Sequence, residues 1–288
     1  MVEKKKILVQ LDSDPLPSVF DRVVAVDGGA EELFSYGGVS PEQVRDLVYG
    51  AMFTRGPEDL KSTAIFVGGM DVRLGEEIFA EAKKTFFGPL RVSLMLDSSG
   101  ANTTAAAAVV AAARHLDLPS TSALILGSTG SVGRRVALLL ARQGARVRVA
   151  SRQQSRSAQV AADVSAVVEG ASLDAVATGD ALELAAALDG IELVVASGGA
   201  GAELLPLAAR QKAIGLKLAI DLNAVPPVGI EGVDPMDAAK ERDGVLAYGA
   251  IGVGGTKMKI HKAAIARLFT ANDLTLDAEE IFAIGQEL

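Results

Sequence analysis

Residues 124–134 read LILGSTGSVGR, and Gly127, Gly130 and Gly133 stand three apart between an apolar run and a helix-like run. Glycine lets a chain turn sharply and lets its backbone approach a pyrophosphate closely. The helix that follows would present unpaired N–H groups and the positive end of its dipole to that anion. The spacing is G-x-x-G-x-x-G instead of the commoner G-x-G-x-x-G. Alone it is a weak signal, but strand, turn, helix and second strand follow in the order a dinucleotide fold requires. The turn and helix start, Gly127, Ser128, Thr129, Gly130, Ser131, Val132 and Gly133, are therefore expected to hold a dinucleotide.

The second strand selects the nucleotide. It reads ARVRVASRQQSR over 145–156, with Ser151 and Arg152 at its end and Arg156 one turn on. A site for NAD places Asp or Glu there to bind the ribose 2′-hydroxyl. A guanidinium and a hydroxyl instead bind a 2′-phosphate through charge-assisted hydrogen bonds. The expected cofactor is NADP. Further on, VVASGGAG puts Ser197 and Gly198 at a strand end, and DLNAVPP puts Asp221 and Asn223 at the next. These positions would flank the nicotinamide; ordinary loops have the same composition.

A second candidate group lies in GAIGVGGTKMKIHKAAIARLF, residues 249–269. Thr256 is expected to cap a helix after the glycine pair. Lys257 would then sit at the helix start, where a cation opposes the dipole, which favours a functional reason for it. His261, four residues on, shares its face; packing is the commoner role for such a histidine. Lys259 and Lys262 read as solvated. No Tyr-x-x-x-Lys pair, Ser-His-Asp set or metal-binding cluster is readable. Hydride removal from an N–CH2–N carbon would need none, because a resonance-stabilised cation remains and no oxygen has to lose a proton.

The elements that would position these groups follow from composition and pattern. The chain has 288 residues, nearly half apolar and mainly Ala, Val and Leu, which suits an α/β fold of one or two domains. A formal charge of −8 argues against a nucleic-acid partner, and the absence of cysteine excludes disulfides and thiolate sites. The opening MVEKKKILVQLDSD is not a signal peptide, and no run is long enough for a membrane span, so the cytoplasm is the expected compartment. Strands are expected at 6–11, 22–29, 62–69 and 91–100, with helices at 40–51 and 73–86. The strand ends carry Asp12, Asp14, Asp27, Gly28, Gly69, Asp71, Asp97 and Ser98. Ligands in open α/β sheets sit at such ends. An Ala-rich helix over 102–116 links to a second unit. That unit has strands at 122–127, 146–150, 191–197, 216–221 and 244–249 and helices at 132–143, 155–168 and 202–211, with an irregular stretch near 170–190. A helix at 256–270 and a tail at 277–287 would return to the first unit.

The stretches SVFDRVVAVDGGA, FTRG, STAIFVGG, FFGPLRVSLMLDSSGANTTAAA and GAIGVGGTKMKIHKA resemble the methylene-tetrahydromethanopterin dehydrogenases of methylotrophic bacteria. The resemblance spans nearly the whole chain. It implies an α/β enzyme related in fold to the methylene-tetrahydrofolate dehydrogenases. Residues 1–103 with 257–288 would form a pterin-binding domain and 104–256 a Rossmann NADP-binding domain. The implied reaction is reversible hydride transfer from methylene-tetrahydromethanopterin to NADP+, in a trimer-based homo-oligomer. Carried onto this sequence, Lys257 is the catalytic candidate, and Phe20, Asp21, Asp97, Asn102 and Thr103 are the substrate-binding candidates. Ser131 stands where some relatives have proline. A methylene-tetrahydrofolate dehydrogenase and a non-catalytic NADP sensor remain the alternatives.

Overall fold

The run KILVQLD builds the first strand, β1 (Ile7–Asp12), buried along most of its length. The computed structural model describes residues 4–288; Met1, Val2 and Glu3 of the basic opening lie outside the described residues. The chain continues through α1 (Val19–Asp27), β2 (Glu32–Tyr36), α2 (Pro41–Met52), β3 (Thr63–Gly68), α3 (Val72–Thr85), β4 (Ser93–Leu96) and α4 (Ala101–Ala113). β1 pairs in parallel with β2 on one side and β3 on the other, and β3 pairs in parallel with β4. Val9, Leu11, Ile65, Val67, Leu94 and Leu96 bury one sheet face against Val44, Val48 and Met52 of α2 and Ile78 and Phe79 of α3. Leu8, Phe66 and Met95, of opposite parity, are also buried. A sheet covered on both faces accounts for strands that read as continuous apolar runs.

The valine-rich stretch 22–29 is not a strand. It lies in α1, whose N-cap Ser18 accepts a hydrogen bond from the Asp21 N–H at 3.2 Å. Parallel pairing of consecutive strands requires a crossover element between them, and this requirement outweighs the β-propensity of valine. Only Val24 and Ala25 of α1 are buried, and the real second strand is ELFSY. Asp27 and Gly28 therefore end a helix, and leave the set of strand-end candidates. A Cβ at Gly28 would press on Ile265, so the glycine marks a close approach.

The next unit runs β5 (Ser122–Leu126), α5 (Ser131–Arg142), β6 (Arg146–Ser151), α6 (Gln154–Val167), β7 (Ser172–Ala177), α7 (Ala181–Leu188), β8 (Leu193–Ala196), α8 (Leu207–Lys212), β9 (Leu218–Asp221), β10 (Ala238–Arg242), β11 (Val245–Tyr248) and α9 (Ala250–Leu268). Its sheet has the order β7-β6-β5-β8-β9-β11-β10, parallel except for the β10–β11 hairpin. This is the doubly wound dinucleotide-binding order with one antiparallel edge strand, and the order reverses at β5. The stretch near 170–190, expected to be irregular, holds β7 and α7. The helix expected at 202–211 is only α8, and the exposed strand β10 carries no apolar alternation to announce it.

The last helix starts at Ala250, six residues before its expected start. The glycines of GAIGVGG are not all loop residues. A Cβ at Gly249 or Gly252 would overlap the carbonyl oxygens of Asp234 or Asp237, so close backbone approach explains those two. Thr256 is therefore inside α9 and is not its cap; its Oγ1 accepts a hydrogen bond from Arg114 Nη1 at 3.3 Å.

The chain then adds β12 (Thr275–Leu276) in parallel beside β4, completing a five-stranded sheet of order β2-β1-β3-β4-β12, and ends in α10 (Ala278–Gln286). Two compact units result, one of residues 1–103 with 258–288 and one of residues 104–257. The boundaries fall inside α4 and α9.

Candidate cofactor and substrate sites

The glycine turn joins β5 to α5. Gly127 has φ +75°, and a Cβ there would lie 2.9 Å from the Gly198 nitrogen. A Cβ at Gly133 would lie 2.6 Å from Ser197 Oγ and 2.7 Å from the Gly127 oxygen, so α5 is pressed against the turn. Gly130 differs. It is exposed, its backbone is extended, and the nearest atom to a Cβ there is 3.5 Å away. The protein itself does not require glycine at 130; a closely approaching phosphate would.

The first intrahelical bond of α5 runs from the Arg134 N–H to the Gly130 oxygen at 3.0 Å. No side chain caps this helix, and its first turn holds no acid. The N–H groups of Ser131, Val132 and Gly133 are thus disposed as an anion cradle with the helix dipole behind them. Ser128 does not face it. Ser128 is buried, and both its N–H and its hydroxyl donate to the Ala150 oxygen, at 3.2 and 2.9 Å. It braces the turn against β6. Thr129 is half-buried, and its carbonyl accepts from Arg134 Nε at 3.3 Å.

At the end of β6, Ser151 is half-buried and Arg152 is exposed, as is Arg156 in the first turn of α6. No acid lies in that turn, and no ion pair among the described residues engages either arginine. Ser151 Oγ accepts from the Gln153 N–H at 3.4 Å and keeps its own proton to donate. A phosphate dianion fits this set, and a carboxylate does not occupy it.

The other two strand ends are organised by their own loops. Ser197 Oγ donates to the Leu126 oxygen at 3.2 Å, and Gly198 is closed in by Leu204. Both residues back the glycine turn. Asn223 is buried: its side chain donates to the Pro227 oxygen at 3.2 Å and accepts from the Val225 N–H at 2.9 Å. It shapes the 223–227 loop, with its amide already engaged. Burial pushes the Asp221 carboxyl above the ordinary range, against the pull of the Asn223, Ile230 and Gly229 N–H groups. Asp221 likewise fastens a loop.

In the five-stranded unit, Asp97, Asn102 and Thr103 meet, but they face inward. All three are at most 1% exposed. Asp97 Oδ1 accepts from the Asn102 and Thr103 N–H groups, each at 3.0 Å, and Oδ2 accepts from Thr103 Oγ1 at 2.7 Å. Asn102 Nδ2 donates to the Leu96 oxygen and to Asp277 Oδ1. This block anchors α4 and α10 and offers no surface to a ligand.

Phe20 and Asp21 do lie at the sheet's carboxyl end. Phe20 is 50% exposed, and Asp21 is half-buried on the first turn of α1. The Phe20 ring is 6.5 Å from the buried His261 ring, which stacks on Phe66 at 5.7 Å. His261 Nδ1 is 3.9 Å from Asp97 Oδ2. The loops after β1 and β3 are laced together, with the Met70 N–H donating to Asp14 Oδ2 at 3.1 Å. Leu16 and Met70, 86% and 70% exposed, project from those loops. Their signal in the sequence was an apolar residue inside an otherwise polar strand end. β1 and β3 flank the point where this sheet's order reverses, the usual ligand position.

Lys257 is half-buried on α9, two turns past the helix start. It therefore does not oppose the dipole at the start of α9. It stays one turn before His261.

A family model described as "Methylene-tetrahydromethanopterin dehydrogenase, N-terminal" matches residues 19–99. The chain is 46% identical over 286 residues to "Bifunctional protein MdtA" of Methylorubrum extorquens, covering 99% of each protein. It is 30% identical over 281 residues to the "NAD(P)-dependent methylenetetrahydromethanopterin dehydrogenase" of the same organism, covering 94% of each. Shikimate 5-dehydrogenase from Listeria monocytogenes has a similar fold, with a TM-score of 0.55 at 11% identity, over 97% of this chain and 96% of that one. With the cofactor fingerprint in place and relatives matched end to end, the chain belongs to the methylene-tetrahydromethanopterin dehydrogenase family.

Proposed function

We propose that this protein interconverts methylene- and methenyl-tetrahydromethanopterin with NADP+ as the partner nucleotide. The observation that carries the cofactor half is the end of β6, where Ser151, Arg152 and Arg156 stand with no acid among them. The substrate half rests on likeness to the methylenetetrahydromethanopterin dehydrogenase matched over 94% of this chain. When bound, NADP+ would supply the hydride acceptor for the one-carbon bridge of the pterin. The chain's own residues hold and orient. The α5 N-terminus binds the pyrophosphate, and Arg152, Arg156 and Ser151 bind the 2′-phosphate. The exposed Leu16, Phe20 and Met70 each offer apolar surface to a planar heterocycle, with the Asp21 carboxylate to accept its N–H groups. Lys257 orients the substrate as a donor. No general base is needed, since no oxygen loses a proton.

The five-stranded unit would thus serve the pterin and the seven-stranded unit the cofactor. The exposed Val19, Val23 and Val26 of α1 suit a homo-oligomer, in which an apolar face is covered. No helix among the described residues is long and apolar enough to cross a membrane.

The deciding experiment follows NADPH or NADH formation with methylene-tetrahydromethanopterin and methylene-tetrahydrofolate, each with NADP+ and NAD+. Turnover with the methanopterin and NADP+ is expected. Turnover with the folate alone would reassign the substrate, and cofactor binding without turnover would leave a sensor.

A further inference from the structure

The loop after β7 touches Arg152 from the side away from the glycine turn. The Thr178 N–H donates to the Ser151 oxygen at 2.9 Å. Gly179 follows, exposed and outside the left-handed region, so its φ sets no demand for glycine. Its surroundings are tight. A Cβ at Gly179 would lie 3.0 Å from the Arg152 carbonyl oxygen and 3.2 Å from Glu183 Oε2. The Gly179 N–H donates to Glu183 Oε2 at 2.7 Å. The turn is closed by Asp180, which caps α7 by accepting from the Leu182 and Glu183 N–H groups, both at 2.9 Å.

We propose that Gly179 and Glu183 are positioning residues for cofactor selection: Glu183 holds the Gly179 backbone, and the bare Gly179 seats the Arg152 carbonyl so that its guanidinium meets a ribose phosphate monoester. The chain of contact is short. Glu183 fixes one N–H, that N–H fixes the glycine, and the glycine leaves room for one carbonyl. Both residues are exposed, so neither fills a core, and replacing them creates no cavity. Their effect passes through the backbone of Arg152, and only a ligand that uses the Arg152 charge would sense it.

This inference rests on the reading of Arg152 as a 2′-phosphate ligand, and its test separates the two. KM and kcat, together with Kd from a binding titration without pterin, are measured with NADP+ and with NAD+ for Gly179→Ala, Glu183→Ala, Glu183→Gln and Arg152→Asp. Gly179→Ala and Glu183→Ala are expected to raise the KM for NADP+ by about threefold to tenfold, because small misplacements of a binding group are costly, with the KM for NAD+ and both kcat values holding. Glu183→Gln keeps an acceptor oxygen and is expected to stay near the parent. An unchanged NADP+/NAD+ preference in Gly179→Ala and Glu183→Ala, beside a lost preference in Arg152→Asp, overturns the positioning role. Equal losses for both nucleotides overturn it too, since they would mark general damage to the loop. An unchanged preference in Arg152→Asp removes the phosphate reading and this inference with it.

Discussion

Gly130 and Gly133 sit one helical turn apart in the same motif, and their surroundings give them opposite sensitivities. Gly133 is wedged between Ser197, Gly127 and Ser128. Gly133→Ala is expected to cost about 1–3 kcal/mol of folding stability through overpacking, read as a lowered Tm. Gly130→Ala meets nothing closer than 3.5 Å. Its stability is expected to stay within about 1 kcal/mol of the parent, while NADP+ binding measured by titration weakens about tenfold or more. A Tm loss at 130 matching that at 133 would remove the argument for a phosphate at Gly130. Arg152→Asp places a carboxylate where the 2′-phosphate is read. It should weaken NADP+ far more than NAD+, and equal losses would place Arg152 elsewhere. Lys257→Ala should depress turnover and spare NADP+ affinity; an unchanged rate would take Lys257 out of the reacting centre.

Elements in this fold take their form from what they must connect. α1 is rich in valine and is still a helix, because parallel β1 and β2 need a crossover. Gly249 and Gly252 stand at the start of α9 because the 234–238 backbone lies against it there. The β10–β11 hairpin is held at its start by Asp237, which is 6% exposed. Burial opposes the Asp237 charge, but the bonds from Arg242 and the Asp234 N–H, with the nearby Arg242 and Lys240 charges, leave the carboxyl below its usual range. A carboxyl lowered on folding stabilises at pH values above its unfolded pKa, and the gain is lost as pH falls through the folded value. Asp237→Asn should therefore cost about 1–3 kcal/mol near neutrality and flatten the acid limb of a stability–pH curve. A variant whose curve keeps the parent's acid limb would show that this pair does not govern it.

At the scale of the molecule, the five-stranded sheet is closed by the end of the chain. β12 pairs with β4, Asn102 reaches Asp277, and α10 buries Ile281, Phe282 and Ile284. A chain ended after Asn272 should lose cooperative folding of this unit, since β4 becomes an open edge and the α4 anchor loses a partner. Limited proteolysis should then cut within 7–96 while leaving 122–248 resistant. Parent-like resistance across 7–96 would show that the C-terminal return is dispensable.

The α/β class, most strands of each group, the glycine turn and the basic end of β6 were legible in the residues alone. Those features are local: glycine conformation, a strand-to-helix change of period, and charge at a strand end are all written in neighbouring residues. The family likeness was legible as well, in LDSSGANTT and GVGGTKMKIHKA. What those blocks do was decided by tertiary structure. Asp97, Asn102 and Thr103 look like ligand residues in one dimension, and the fold buries all three around the start of α4. Ser128 gives its polar atoms to Ala150 of β6, and Asn223 and Asp221 give theirs to the loop up to Ile230, because a buried polar group must be paired. Helix or strand for VVAV, the true start of α9, and the loop at Gly179 behind Arg152 depend on which backbones approach each other, and no local pattern carries that information.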